Sequence, residues 1–247
     1  MFEFIDSHCH IDFSNFNGDR KEVILRALRE GVVSIINSGY DYRSNERTLR
    51  VSESFEEVYA TLGLSPNRIH IDDYRIVVDQ IRDNVDRIVG IGEVGLDLLK
   101  AKASLEEQKE IFKRFLSLAE ELNKPIVIHA RKAESLAFDM VKNYDVVAVF
   151  HCYSGSEAVM KNIEDAGHYI SLSTLVCFSE KHKKLAEKVN LDYLLLETDS
   201  PFLSPFRGRN EPKNVIYAAK AVAEAKGLEL ADVADATTRN AQKIFKI

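Results

Sequence analysis

Two histidines near the start of the chain, His8 and His10, are separated by one residue and follow the apolar run FEFIDS. If this run forms a β-strand, residues two apart point to the same face, so the two imidazoles stand side by side. Imidazole is the most common side-chain ligand for transition metals in proteins. The spacing therefore predicts that the two side chains can share a cation, provided that further ligands lie nearby.

Further candidate ligands stand where other apolar runs end. Glu93 follows IVGIG, His129 follows PIVI, His151 follows VVAVF and Asp199 follows LLLET. Taken singly, each residue is also explained as a polar side chain at a strand end, and Asp199 could cap a turn or a helix. Strands that ended in unrelated residues would seldom carry this set of types. The joint pattern favours one shared metal site.

The apolar, β-branched runs recur along the chain with amphipathic segments between them. Eight candidate strands are read in this way: FEFIDSH, VVSIINSG, VYATLGLS, IVGIGEVGL, PIVIHA, VVAVFHC, YISLSTL and DYLLLETD. Such continuous apolarity is typical of parallel strands buried on both faces. Several intervening segments carry helix signals, such as Ser104 with Glu107 three residues on, and Gly31 and Gly167 at segment ends.

Eight strand–helix units without a linker rich in Pro, Gly or Ser predict one (β/α)8 TIM-type barrel over residues 1–247 rather than a doubly wound sheet. Active sites in such barrels lie at the C-terminal ends of the strands. The six candidate ligands all stand at those ends, so we expect them to converge on one rim.

Composition limits the possible classes. The 247 residues are 45% hydrophobic and 29% charged, which is ordinary for a globular protein. No apolar stretch approaches the roughly 20 residues of a membrane span, and no signal segment opens the chain, so we expect a cytoplasmic protein without a membrane partner. Three cysteines are too few for a disulfide framework. The net charge of −6 argues against a broad basic surface for duplex binding, and nothing selects an oligomeric state.

Six ligands exceed what one tetrahedral zinc ion uses, and two divalent ions bridged by a carboxylate would account for the surplus. Glu93 is the predicted bridge. It lies inside GIGEVG, which matches the dinucleotide pattern G-x-G-x-x-G. That pattern requires a helix to begin at the glycines, whereas here a helix can start only near Ser104. No organic cofactor is expected, and the glycines are assigned to close backbone packing.

The motifs DSHCH, GEVGLD, IHAR, HCYSG, ETDSP and RGRNEP, in this order, resemble the TatD-related DNase family of metal-dependent hydrolases over essentially the whole chain. The resemblance implies an amidohydrolase-type barrel, two divalent metal ions and Mg- or Mn-supported hydrolysis of DNA phosphodiesters; Zn is the third candidate metal. By position, His8, His10, Glu93 and Asp199 match the ligands of one ion. Glu93, His129 and His151 match those of the second, and Asp199 matches the base or proton shuttle.

The chain departs from the family pattern at three places. Ser65 and Asn67 replace the histidines of a frequent HPH, Leu98 and Leu99 stand where a tyrosine is frequent, and Lys132 replaces a frequent acid after IHAR. None of these positions is among the six ligands. The departures therefore bear on the choice of substrate rather than on hydrolysis.

The predicted function is deoxyribonuclease activity on a nucleic acid, with exonucleolytic cleavage of single-stranded DNA as the preferred mode. The ions would lower the pKa of the attacking water from about 15.7 towards 7, and Asp199 would take up its proton. Arg131, Arg207 and Arg209 are the candidate substrate-binding residues, because guanidinium groups suit phosphate oxygens. Asp12 and Asp97 are candidate acceptors for histidine N–H groups.

Two other functions fit the same residues. A metal-dependent amide or ester hydrolase, or a deaminase, would use the same ions on a small molecule; a narrow, enclosed pocket would favour it, whereas an open groove with an aromatic platform would favour single-stranded nucleic acid. A binding protein that keeps the barrel without useful catalysis is the third, and the full ligand set argues against it.

Overall fold

The structure, a computed structural model, describes residues 2–247, and within them eight parallel strands form one sheet. The strands are β1 (Phe4–Cys9), β2 (Val32–Ser38), β3 (Val58–Leu62), β4 (Gly90–Asp97), β5 (Ile126–Arg131), β6 (Ala148–Phe150), β7 (Tyr169–Ser173) and β8 (Leu194–Glu197). Their order in the sheet follows their order in the chain. This is the arrangement of a (β/α)8 barrel, so the predicted fold is confirmed.

Helices connect the strands. They are α1 (Arg20–Arg29), α2 (Tyr42–Ser54), α3 (Tyr74–Asp83), α4 (Leu105–Leu122), α5 (Glu134–Val141), α6 (Glu157–Asp165), α7 (Glu180–Lys188), α8 (Val215–Lys226) and α9 (Leu230–Phe245). Ser104 caps α4 by accepting a hydrogen bond from the Glu107 N–H at 3.3 Å, as the capping signal predicts. None of the helices within residues 2–247 is both long and apolar enough to cross a membrane.

Hydrogen bonds tie the first and last strands of the barrel together around their C-terminal ends. The Asp199 N–H donates to the His8 carbonyl at 3.0 Å, and the His10 N–H donates to the Ser200 carbonyl at 2.8 Å. The backbone carrying two candidate histidines is thereby tied to the backbone carrying the candidate aspartate.

At the other end of the barrel, apolar side chains fill the interior. The side chains come from six strands and are Ile5, Ile36, Val127, Val149, Tyr169 and Leu195. The last turns of α9 pack against them through Ala241, Ile244 and Phe245. Removal of this surface from water stabilises the barrel at the end opposite the candidate ligands.

Candidate metal centre

His8 and His10 present their Nε2 atoms to the same carboxylate. Each Nε2 lies 3.7 Å from Oε2 of Glu93. Ser38, the last residue of β2, holds both rings: its Oγ lies 3.0 Å from Nδ1 of His8, and its carbonyl oxygen lies 2.8 Å from Nδ1 of His10. Because a carbonyl only accepts, His10 donates from Nδ1 and keeps the Nε2 lone pair free for a cation.

Glu93 faces two groups of histidines with its two oxygens. Oε2 is directed at His8 and His10, whereas Oε1 lies 3.0 Å from Nδ1 of His129 and accepts a hydrogen bond from the Ser65 hydroxyl at 3.0 Å. A carboxylate with one oxygen towards each group is placed to bridge two cations.

His129 reaches this position because β4 and β5 approach very closely. Gly95 of β4 has φ = +139°, and a Cβ there would lie 2.1 Å from the His129 carbonyl oxygen, so only glycine fits. The predicted role of the glycines in close backbone packing is confirmed. The GIGEVG segment lies within β4, and α4 begins only at Leu105, so no helix N-terminus stands at these glycines.

Asp97 orients the His129 ring from the side away from the cluster. Its Oδ2 lies 3.0 Å from Nε2 of His129, which leaves Nδ1 for the cluster, as predicted for this aspartate. Burial lowers the pKa of His129, but the hydrogen bonds to Asp97 and Glu93 outweigh it and raise the pKa to about 9. At neutral pH the ring therefore carries a proton that a cation would have to replace.

Asp12, the other candidate acceptor, accepts no hydrogen bond from a histidine ring within residues 2–247. It accepts hydrogen bonds from the side chains of Asn37 and Arg47 instead. The partner of His10 Nδ1 is the Ser38 carbonyl, a backbone atom that residue types in a sequence do not reveal. The expectation for Asp12 is therefore wrong.

His151 completes the second group of histidines. Its Nε2 lies 3.3 Å from Nδ1 of His129, and its Nδ1 lies 3.6 Å from Oε1 of Glu197. Glu197 is fully buried, and neither of its carboxylate oxygens has a hydrogen-bond partner among the described residues. Glu197 was not among the residues predicted from the sequence, although its position two residues before Asp199 places it on the last strand of the barrel.

Asp199 approaches the first group of histidines from the closing side of the barrel. Its Oδ1 lies 3.6 Å from Nε2 of His10 and 4.0 Å from Nε2 of His8. Burial raises the pKa of Asp199 to about 6, against the lowering effect of His10 and His151. A carboxylate with this pKa can take up and release a proton near neutrality.

The six predicted ligands form three overlapping groups with ligand atoms close enough to hold an ion. The groups are His8, His10 and Glu93; Glu93, His129 and His151; and His8, His151 and Asp199. Two atoms that each lie about 2.1 Å from one ion are at most about 4.2 Å apart, and the pairs around His8 and His10 satisfy this. The buried Nε2 of His8 has no hydrogen-bond partner within residues 2–247. A bound cation would be the missing partner.

The cluster lies in a cavity of about 400 Å³ with an aromatic rim. Phe13 stacks on His10 with ring centroids 4.9 Å apart and contacts Tyr40 and Phe202 edge-on at 5.3 and 5.9 Å. Phe202 is 52% exposed. A large aromatic side chain that is half in water at the edge of a polar cavity offers a stacking surface to a ligand.

Ser65 and Asn67, two of the departures from the family pattern, also line this cavity. The Ser65 hydroxyl donates to Glu93, and the Asn67 amide donates to Oδ2 of Asp97 at 3.1 Å. Ser65 therefore binds a candidate ligand, and Asn67 binds the aspartate that orients His129. Neither residue offers an imidazole nitrogen to a cation.

Of the three arginines expected to bind substrate, Arg131 lines the cavity. It is the last residue of β5, and its guanidinium lies 3.6 Å from Oδ2 of Asp97 with the side chain 39% exposed. Its remaining N–H groups are free to meet an anion next to the cluster.

The structure does not bring Arg207 and Arg209 into this cavity. Arg209 forms ion pairs with Asp19 at 2.7 Å and Glu211 at 3.1 Å, and its guanidinium stacks 4.3 Å from the Phe16 ring centroid. Those partners use the donors that a phosphate would need. Arg207 is exposed and lines a separate groove.

Comparison with known proteins agrees with this architecture. The model of the TatD related DNase family matches residues 5–246. A metal-dependent hydrolase of Methanocaldococcus jannaschii is 47% identical over 99% of this chain and 97% of its own. The deoxyribonuclease TATDN3 of Homo sapiens is 30% identical over 98% of this chain and 94% of its own.

Among solved structures, the TatD homologue YjjV of Escherichia coli superposes with a TM-score of 0.93 at 27% identity, covering 99% of this chain and 98% of the other. The match of fold, motifs and whole-chain coverage leaves one assignment. The chain belongs to the TatD-related DNase family of metal-dependent hydrolases.

Proposed function

We propose that this hydrolase is a deoxyribonuclease that cleaves phosphodiester bonds of single-stranded DNA stepwise from an end, with two divalent cations. The observation that carries the proposal is the pair of ligand groups that share Glu93. Two cations held by one carboxylate suit in-line displacement at phosphorus, because they stabilise both the attacking and the leaving oxygen. The name of the human relative as a deoxyribonuclease supports the same choice.

His8, His10, Glu93 and Asp199 would hold one cation, and Glu93, His129 and His151 the other. Bound there, Mg²⁺, Mn²⁺ or Zn²⁺ supplies Lewis acidity and makes hydroxide available at neutral pH. Ser38, Asp97 and Glu197 keep the histidine rings in the orientation that this requires, through the contacts described above.

The side chains around the cluster divide the remaining work. Asp199, which faces the cavity, would accept the proton of the attacking water and return it to the leaving oxygen. Arg131 holds a nonbridging phosphoryl oxygen next to the cluster. Both groups are held in place by the fold. Because no free energy is spent on orienting them during the reaction, they stabilise the transition state.

The surroundings of the cluster favour a nucleic acid over a small amide or ester. The aromatic rim of Phe13, Tyr40 and Phe202 offers faces on which unpaired bases can stack. On the other side of Arg131, a second lobe of about 230 Å³ is lined by the exposed Lys132 and Lys181. A nucleic-acid strand that crosses the cluster would meet aromatic rings for its bases on one side and lysine side chains for its phosphates on the other.

Cleavage of end-labelled single-stranded DNA by chelator-stripped protein tests the proposal, with Mg²⁺, Mn²⁺ or Zn²⁺ restored separately. We expect stepwise shortening that needs the metal ion and disappears in Glu93→Ala and Asp199→Asn. Metal content measured on each protein separates lost binding from lost chemistry. Asp12→Asn is the matched control, because this buried aspartate pairs with Asn37 and Arg47 rather than with a candidate histidine, so the variant should retain cleavage.

Two results would contradict the proposal. Wild-type protein that binds two ions and leaves both DNA and RNA intact would turn the assignment towards amides, esters or deamination of small molecules. Wild-type protein that stays inactive on those substrates as well would point to a binding role.

A further inference from the structure

A second groove lies beside the metal cavity, between the loop that follows β8 and helix α8. It has a volume of about 260 Å³, and its walls include Phe206 and Arg207 from the loop, Lys213 from the turn before α8, and Tyr217 and Lys220 from the first half of α8. Loops that follow the strands lie on the active-site face of such a barrel. The loop wall of the groove therefore lies on the same face as the metal cavity, and the groove runs from there along α8 towards Glu30, the residue that follows α1.

The groove carries local positive charge on a chain whose net charge is −6. Among the described residues, the ion pairs here are those of Arg209 and Arg26, and they engage Glu211. Arg207, Lys213 and Lys220 form none, and the exposed Glu30 is the other acid that lines the groove. Three cations against one free carboxylate make this surface complementary to an anion.

Two aromatic rings stand between these cations and are not part of the core. Phe206 is 55% exposed and Tyr217 is 40% exposed, and their ring centroids lie 4.8 Å apart at 84°. The Lys220 ammonium lies 5.3 Å from the Tyr217 centroid. Exposed rings interleaved with cations are the combination that binds unpaired bases and their phosphates, whereas a simple anion needs no ring.

The groove is connected to the metal cavity by the chain itself. Phe202, on the rim of the metal cavity, and Phe206, in the groove, are four residues apart in the same loop. Their Cα atoms are therefore at most about 14 Å apart. A strand with its end at the metal cluster can reach the second groove without leaving the surface of this loop.

We propose that this groove is a second binding site for single-stranded nucleic acid, which holds the part of the strand beyond the nucleotides at the metal centre. Phe206 and Tyr217 stack against bases, and Arg207, Lys213 and Lys220 meet phosphates. The proposal rests on the proposed nuclease function. It adds that the protein binds nucleotides beyond those at the metal centre. Arg207 contacts the strand here and not at the scissile phosphate.

The test compares substrates that reach the groove with substrates that do not. Metal-loaded wild-type protein and the variants Phe206→Ala and Arg207→Gln/Lys220→Gln are assayed on a chromogenic phosphodiester, on a dinucleotide and on an oligonucleotide of about 12 nucleotides. Lys243→Gln is the control, because this exposed lysine lies by the start of β5, at the opposite end of the barrel. Phe206→Tyr keeps an aromatic ring and should behave as wild type.

We expect unchanged turnover of the two short substrates and a rise of KM for the oligonucleotide by about 5- to 100-fold in Phe206→Ala. In Arg207→Gln/Lys220→Gln, the slope of log affinity against log salt should decrease by about 0.7 for each cation removed. Equal loss on short and long substrates, or no loss on the long one, would overturn the groove assignment.

A binding measurement tests the groove separately from catalysis. Anisotropy of a labelled, phosphorothioate-linked oligonucleotide on metal-loaded protein reports the groove even if no polynucleotide is cleaved, in which case the proposed nuclease function alone fails. If the oligonucleotide binds equally to wild type and variants, whereas an acidic peptide loses affinity in the variants, the groove belongs to a protein partner and the proposal is wrong.

Discussion

The two ends of the barrel interior differ in chemistry although the same strands form both. At the end where strands begin, Ile5, Val127 and Leu195 pack with Ile244 and Phe245 of α9. At the end where strands finish, the interior holds a cluster of imidazoles and carboxylates, of which five side chains are buried and Asp199 is partly exposed to the metal cavity. The apolar end stabilises the fold by burial, whereas the polar end holds charges whose desolvation costs stability unless they are paired or bind a cation.

We therefore expect that the free energy of unfolding and the catalytic turnover can be changed separately in this protein. Residues at the start of the strands should affect the free energy of unfolding with little effect on turnover. Residues at the end of the strands should affect turnover and metal affinity.

The largest effect is expected for Glu93→Gln. Loss of the shared carboxylate charge should reduce metal-dependent turnover to the level seen with chelator, because both ligand groups lose a member. Mn²⁺ at about 100 times its Kd should stabilise the wild-type protein by about 2.7 kcal/mol, a gain that the variant lacks. The measurement is thermal unfolding with and without Mn²⁺ alongside the cleavage assay. Full activity in the variant would remove Glu93 from the chemistry.

At the opposite end, Phe245→Ala should destabilise the fold by about 3–5 kcal/mol, because it leaves a cavity where a ring that is 2% exposed packs under the barrel. Denaturant unfolding at equilibrium measures the change. Turnover per folded molecule, assayed well below the melting temperature, should stay at the wild-type value. A parallel drop in turnover would mean that the two ends are coupled.

An intermediate effect is expected for Asp97→Asn, which weakens the hold on His129 without removing a candidate ligand. Metal affinity or activity should fall about 10- to 100-fold. Titration of the stripped protein with Mn²⁺, read by calorimetry, gives the affinity directly. Asp12→Asn, a buried aspartate on the same face, should show no such loss.

The smallest effect is expected for Arg209→Ala, which removes ion pairs at the edge of the barrel. The variant should lose about 1 kcal/mol or less at pH 7, because these side chains are partly exposed. The pKa of Asp19 is lowered chiefly by its hydrogen bond to Arg209; that of Glu211 is also lowered, where pairing with both arginines outweighs burial.

Carboxylates with lowered pKa values stabilise the fold above their ordinary pKa and lose this contribution as the pH falls. The stability difference between wild type and Arg209→Ala should therefore shrink below about pH 4. Unfolding curves at neutral and acid pH measure it. A large loss of turnover at pH 7 instead would place Arg209 on the substrate.

The sequence predicted the barrel and the cluster well because both depend on local patterns that repeat. Each strand is an apolar run that ends at a polar residue, and parallel order brings all of those ends to one rim. The structure accordingly brings His8, His10, Glu93, His129, His151 and Asp199 within reach of one another.

The residues that support the cluster were less predictable, since their partners are distant in the chain or are backbone atoms. Ser38 accepts from His10 through its carbonyl oxygen. The partner of Glu197 is His151, which lies on a different part of the barrel and 46 positions earlier in the chain. Arg209 was expected near a phosphate because it lies two residues from Arg207 and guanidinium groups suit phosphate oxygens, whereas the structure pairs it with Asp19, nearly two hundred residues earlier.

The closure of the barrel has a consequence for how the protein is made. His8 and Asp199 meet through a backbone hydrogen bond although they are 191 positions apart in the chain. Contacts of such long range form late, because the entropy of closing a large loop is lost before they form. During synthesis on the ribosome, about four fifths of the chain must emerge before the cluster can assemble. The group of Glu93, His129 and His151 is present once β6 has emerged, but the group that needs Asp199 waits for the end of β8, and a nascent chain that stops before Asp199 has an incomplete centre.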